Sequence, residues 1–160
     1  MAREIEEGQE THVEAADAAA RAVERWRERA AQAGAMLEAH GEPVAALANP
    51  DDLDQVLDVI VDNAISYAPG PIELRTGRVG SSAVISLQDH GGGIPPDELP
   101  RVTERFYRGR GSPAGGSGLG LAIARELAEK WGGTIDITSA EDGGTMVEVR
   151  LRPVGGFASA

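Results

Sequence analysis

The sequence has no cysteine, and its 15 basic residues include a single lysine, Lys130. Without thiols, disulfides and thiolate metal sites are excluded. A phosphate-binding Walker loop needs a Gly-Lys-Ser/Thr triplet, and none exists. Protein-kinase chemistry of the usual kind needs a lysine on an early strand, whereas Lys130 lies late in the chain. A dinucleotide G-x-G-x-x-G is also missing, because Gly116, Gly118 and Gly120 alternate instead. Aromatics make up only 4%, and the three histidines, His12, His40 and His90, lack metal-ligand spacing. No apolar run approaches the roughly 18 residues that would span a membrane. Positive charge is scarce: the net charge is −11, which argues against a groove that grips nucleic acid. The opening MAREIEEGQE is acidic and polar, unlike a signal peptide. The expected location is cytoplasmic, with no nucleic-acid partner and no direct membrane contact.

What is present is a chain of 160 residues, 41% hydrophobic and 26% charged, enough for one domain with its own core. Residues 14–33 are expected to form an alanine- and arginine-rich helix with an apolar stripe of Ala15, Ala18, Ala22, Val23, Trp26 and Ala30, stopped by Gly34. AMLEAH and residues 43–47 read as short strands. Asn49-Pro50-Asp51 opens a second helix, with a cap and a first-turn proline. Its apolar face is Leu53, Val56, Leu57, Ile60, Val61, Ala64 and Ile65. Strands are expected near 71–78 and 82–89, a loop at 90–96, and a short helix from Pro96 or Asp97. Residues 108–117 are too rich in Gly, Pro and Ser for regular structure. A third helix from 118 carries Leu119, Ile123, Leu127 and Trp131 at four-residue spacing and ends at Gly132-Gly133. Strands at 134–140 and 145–151 pair across a turn. Helices interspersed with antiparallel strand pairs predict an α+β fold, a two-layer sandwich with a mixed, mostly antiparallel sheet and helices on one face.

Four stretches carry chemistry. Asn63 lies with Val59 and Ser66 on one flank of the second helix, where a carboxamide oxygen can ligate Mg²⁺; a helix asparagine facing solvent fits the same position. Asp89-His90-Gly91-Gly92-Gly93-Ile94 ends a buried strand in a glycine loop. A carboxylate there can accept from an amine such as that of adenine, although a plain turn has the same composition. Arg101, Arg105, Arg108 and Arg110 form a positive island beside Phe106-Tyr107. Finally, GGSGLGLAIARELAEKWGG begins a helix with glycines, each worth about 1 kcal/mol less than alanine in a helix. A glycine-rich helix start lets unpaired N–H groups approach an anion closely.

In order and spacing, DLDQVLDVIVDNAISYAPG, LQDHGGGIPPDELPRVTERFYRG, GGSGLGLAIARELAEKWGG and DGGTMVEVRL resemble the catalytic, ATP-binding domain of bacterial sensor histidine kinases, which has the Bergerat ATP-binding fold. The resemblance implies a domain over 13–153, preceded at 1–12 by the end of a dimerisation helix and linker, and followed by a disordered tail at 154–160. It implies that Asn63 holds Mg²⁺, Asp89 reads adenine, Gly91, Gly93 and Ile94 floor the base site, and Tyr67 lines the pocket. Phe106 anchors the lid base and Arg108 approaches the phosphates as the catalytic cation. Gly116, Ser117, Gly118, Leu119, Gly120 and Leu121 wrap the phosphates, and Thr145 helps hold the adenine end. ATP and Mg²⁺ are the implied cofactors. The implied partners are the dimerisation and phosphoacceptor domain of a parent kinase, which in this family can be anchored in the inner membrane, and a response regulator. The isolated domain is expected to be monomeric.

The chain departs from the family pattern in places. Val59 stands where many members have an asparagine and where gyrase-like and mismatch-repair ATPases have a water-activating glutamate, so it cannot serve as a general base. Ser66 replaces a frequent basic residue, and Thr103 a common phenylalanine. None of the three histidines has the setting of a phosphoacceptor. The chain therefore resembles one half of a two-domain kinase core. Two alternatives stay open: a degenerate nucleotide-binding regulatory module, and a protein serine kinase of the anti-sigma type.

Overall fold

The structure is a computed structural model that describes residues 11–67, 69–91, 120–139 and 143–154. Strand β1 (Thr11–Glu14) runs directly into helix α1 (Ala15–Gln32). Then follow β2 (Met36–Gly41), β3 (Ala45–Ala48), α2 (Pro50–Tyr67), β4 (Pro71–Val79), β5 (Ser82–Gln88), α3 (Gly120–Lys130), β6 (Thr134–Ser139) and β7 (Thr145–Pro153). The sheet order is β1-β3-β7-β5-β4-β2, with β6 also paired to β7. Among these pairings only β2–β4 is parallel. The expected mixed, mostly antiparallel sheet with helices on one face is what the chain forms.

Register explains the core. Leu74, Leu87 and Val147 face one another across β4, β5 and β7, and Thr76, Ile85 and Val149 form the next row. All six are buried beneath the helices. The apolar face of α2 is buried at all seven expected positions. Leu57, fully buried, contributes about 1.5–3 kcal/mol by leaving water. Thr76 tolerates burial because its hydroxyl donates to the Glu42 carbonyl at 2.8 Å.

Caps fix the helix ends. The Asn49 Oδ1 accepts from the backbone N–H of Asp51 at 2.9 Å and Asp52 at 3.0 Å, the role its position before Pro50 predicts. Glu14 caps α1 through the N–H of Ala16 at 3.0 Å and also accepts from Val44 N–H at 2.7 Å. Gly34, at φ 82°, stops α1 as expected. Between the helices, Arg25 donates to Asp58 at 2.7 Å and Trp26 donates its indole N–H to the same carboxylate at 2.7 Å. Arg21 reaches Asp54 at 3.1 Å.

Three expectations need correction. Thr11 and His12, read as linker, lie in β1 and pair with Ala48 and Leu47; THVE carries only one apolar residue, too weak a pattern to mark a strand. The strand expected at 43–47 begins at Ala45, because Val44 N–H is taken by Glu14. In α3 the buried residues are Ala122, Ala124 and Ala128, not a stripe through Ile123. α3 packs close to α2, and small residues permit that approach.

Candidate functional site

Along β5 the residues Ala83, Ile85 and Leu87 face the core, and Asp89 continues that two-residue alternation just past the strand. Its side chain is therefore carried to the helix-covered face, where Asp89 is 7% exposed. It is the one buried charged residue among the described residues. Its backbone N–H donates to the Thr145 carbonyl at 3.0 Å. Its Oδ1 accepts from the N–H of Gly91 at 3.0 Å and of Thr145 at 3.1 Å. A carboxylate has room for about four donors, and among the described residues Oδ2 has none. Buried polar atoms are normally paired, and an oxygen in this position can accept a further N–H.

The turn before β7 presses against the backbone of the Asp89–Gly91 segment. Gly144 N–H donates to the Gly91 carbonyl at 2.5 Å. A Cβ on Gly144 would lie 2.7 Å from the Asp89 carbonyl, and one on Gly143 would lie 2.8 Å from that of Gly91. Both glycines have positive φ, 94° and 106°. The pair reads in sequence as an ordinary turn; its role in clasping the Asp89 segment becomes visible only with the fold. Thr145, expected at the adenine end, is 9% exposed and holds Asp89 through its backbone N–H.

A second group forms where α3 begins. A Cβ on Gly120 would sit 3.4 Å from Val59 Cγ1 on α2. The start of α3 thus lies against the α2 flank that bears Asn63 one turn later. Val59 itself packs on the core. Asn63 is half-buried, and its carboxamide makes no hydrogen bond among the described residues. Tyr67, at the end of α2, is 52% exposed. Leu121 packs its side chain against the core, and its backbone N–H lies in the first turn of α3. Gly93, Ile94, Phe106, Arg108, Gly116, Ser117, Gly118 and Leu119 lie outside the described residues, as does the arginine island.

Comparison with known proteins shows the family and the fold. Residues 48–154 match the family model described as histidine kinase-, DNA gyrase B- and HSP90-like ATPase. The chain is 35% identical over 136 residues to the sensor histidine kinase YkoH of Bacillus subtilis, covering 83% of this chain and 30% of that protein. It is 39% identical over 110 residues to the signal transduction histidine-protein kinase AfsQ2 of Streptomyces coelicolor, covering 68% of this chain and 21% of that one. It thus spans less than a third of the length of these relatives. Among solved structures, a mycobacterial sensor histidine kinase, MprB, superposes with a TM-score of 0.79 at 29% identity over 90% of this chain and 100% of that chain. The catalytic domain of histidine kinase ThkA superposes with a TM-score of 0.79 at 21% identity over 90% of this chain and 95% of its own, a likeness of fold.

Proposed function

The chain belongs to the histidine kinase-, DNA gyrase B- and HSP90-like ATPase family, and from that premise we propose that it is the ATP-binding catalytic domain of a sensor histidine kinase. It presents the γ-phosphate of ATP to a histidine on a dimerisation domain, and a response regulator acts downstream. The observation that carries this is the Asp89 carboxylate, buried, with Oδ1 fixed by two backbone N–H groups and Oδ2 unclaimed among the described residues. That arrangement suits the exocyclic amine of adenine. Gly91 and Gly93 leave room for a flat base, with Ile94 and Tyr67 beside it.

The triphosphate belongs at the start of α3, where Gly120 and Leu121 lie and the helix adds partial positive charge; by the resemblance, Gly116, Ser117, Gly118 and Leu119 complete the phosphate wrap. By the resemblance Phe106 anchors the lid base, and Arg108 stabilises charge developing on the transferred group. Mg²⁺ supplies neutralisation of the phosphate oxygens, and the Asn63 carboxamide oxygen is the protein ligand that fits it. Val59, packed on the core, has no group that can take a proton from water, which disfavours hydrolysis of the gyrase type. Val59 and Ser66 together are what favours the second reading, a nucleotide-binding module without transfer.

Metal coupling tests the assignment of Asn63. Calorimetry with and without Mg²⁺ is expected to show tighter ATP binding with the metal. Asn63→Ala should remove most of a gain that, for coupled ligands, is typically about 5–150-fold. A variant that keeps the full Mg²⁺ effect would make this asparagine structural.

A further inference from the structure

Both tryptophans of the chain are used in the same way. Trp26 of α1 donates its indole N–H to Asp58 of α2, and Trp131, just past α3, donates its own to Asp52 of α2 at 2.6 Å. Each carboxylate also takes a basic neighbour: Arg25 on Asp58, and Lys130 on Asp52 at 3.3 Å. Lys130 lies 5.2 Å from the centre of the Trp131 ring, so the three side chains form one unit. The two clamps differ in what they hold. α1 carries none of the expected site residues. α3 begins with Gly120 and Leu121, where the triphosphate is proposed to bind.

α2 and α3 pack side by side, and their contact is bounded by Val59 against Gly120 at one end and by the Asp52–Trp131 hydrogen bond at the other. Between Gly120 and Trp131 the helix forms a lever of roughly 16 Å. Beneath its far end is an apolar cleft lined by Leu53, Val56, Leu127, Trp131, Val149 and Leu151. Apolar packing at that end is non-directional, and the hydrogen bond from Trp131 to Asp52 adds a directional contact to it. Its C-terminal turn is itself stiff, with Gly133 N–H bonded to the Ala128 carbonyl at 2.9 Å and Gly132 N–H to that of Glu129 at 3.0 Å, the pattern of a Schellman motif. A fixed end and a stiff rod set the place of the other end.

We infer that Asp52 is a positioning residue for phosphate binding: by holding Trp131 and Lys130 it sets where the N-terminus of α3 meets the triphosphate. The inference rests on the proposed function and adds a residue remote from the ligand. Displacement of a positioned group by about 1 Å is enough to weaken its contacts severely.

The test compares ATP with AMP, which shares the adenine site and lacks the outer phosphates. Asp52→Ala and Trp131→Phe are expected to weaken ATP binding by about fivefold or more, the lower end of ordinary coupling between sites, with AMP affinity unchanged within about twofold. Asp52→Asn keeps an oxygen acceptor for the indole N–H and should recover most of the ATP affinity. Trp26→Phe, which breaks the equivalent clamp on α1, should leave the ATP-to-AMP ratio as it was. Coupling is reciprocal, so ATP must also act on the clamp. In the Trp26→Phe protein the only tryptophan is Trp131, and its emission should shift with ATP and not with AMP. Equal losses for ATP and AMP in Asp52→Ala, or no change in Trp131 emission on saturation with ATP, would overturn the inference while leaving the nucleotide site intact. A wild-type chain that binds neither nucleotide would overturn the proposed function itself.

Discussion

Asp89→Asn is expected to weaken ATP binding by about 1.5–3 kcal/mol, roughly 10- to 150-fold, the scale of a hydrogen bond to a charged group. The substitution is nearly isosteric. Asparagine keeps one oxygen to accept from the N–H of Gly91 and Thr145, which meet the Asp89 Oδ1 at 3.0 and 3.1 Å, so the turn and the start of β7 should survive. What changes is the second position, where an acceptor becomes an NH₂ donor. Facing the adenine amine, donor meets donor. Thermal unfolding within a few degrees of wild type, together with the loss of binding seen by calorimetry, is the expected pair of results. Equal ATP affinity in the two proteins would remove Asp89 from the site.

Gly144→Ala should be the most damaging change to the framework around that carboxylate. The residue sits at φ 94°, and an added Cβ would fall 2.7 Å from the Asp89 carbonyl and 3.3 Å from the Gln88 Nε2. Strain of this kind costs about 1–3 kcal/mol, and the neighbouring atom is backbone, which cannot swing aside. Together they should cost about 2–4 kcal/mol of stability and displace Asp89. Gly34→Ala separates the two causes. Gly34 has φ 82° with open space around it, so only the conformational cost of about 1–2 kcal/mol applies there. Denaturant titration that ranks the two variants equally would show that the close approach of the 143–144 turn to Asp89 carries no weight.

Much of this was legible in the sequence because it is written in local patterns. The seven buried positions of α2 follow from a 3.6-residue period, and the cap at Asn49 from Asn-Pro-Asp. Asp89 as a buried acceptor follows from strand alternation running into glycines. The parts that did not show depend on contacts between distant segments. β1 is recognisable only through its partner β3. The fully buried residues of α3 are alanines because α2 lies close, and alanine carries no periodic signal strong enough to outrank Leu119, Ile123, Leu127 and Trp131. The clamp of Asp52 on Trp131 joins residues 79 positions apart. Gly143 and Gly144 look like any hairpin turn until Asp89 and Gly91 are seen against them. The expectations for the lid, for Arg108 and for the glycines at 116 and 118 lie outside the described residues and stand on the resemblance.

Phosphoryl transfer in trans tests the central claim most directly. The chain would be incubated with labelled ATP and Mg²⁺, alone and with a separately expressed dimerisation domain from its parent kinase. None of His12, His40 and His90 has the setting of a phosphoacceptor, and Val59 cannot activate water, so the chain alone should take up no stable label and hydrolyse ATP very slowly. With the dimerisation domain, label should appear on that domain as an acid-labile, alkali-stable phosphoramidate. Arg108→Ala should slow that transfer more than it weakens ATP binding, as expected for a group that acts on charge in the transition state. Stable label on the isolated chain, or an acid-stable product on the partner, would contradict the assignment and favour a serine kinase.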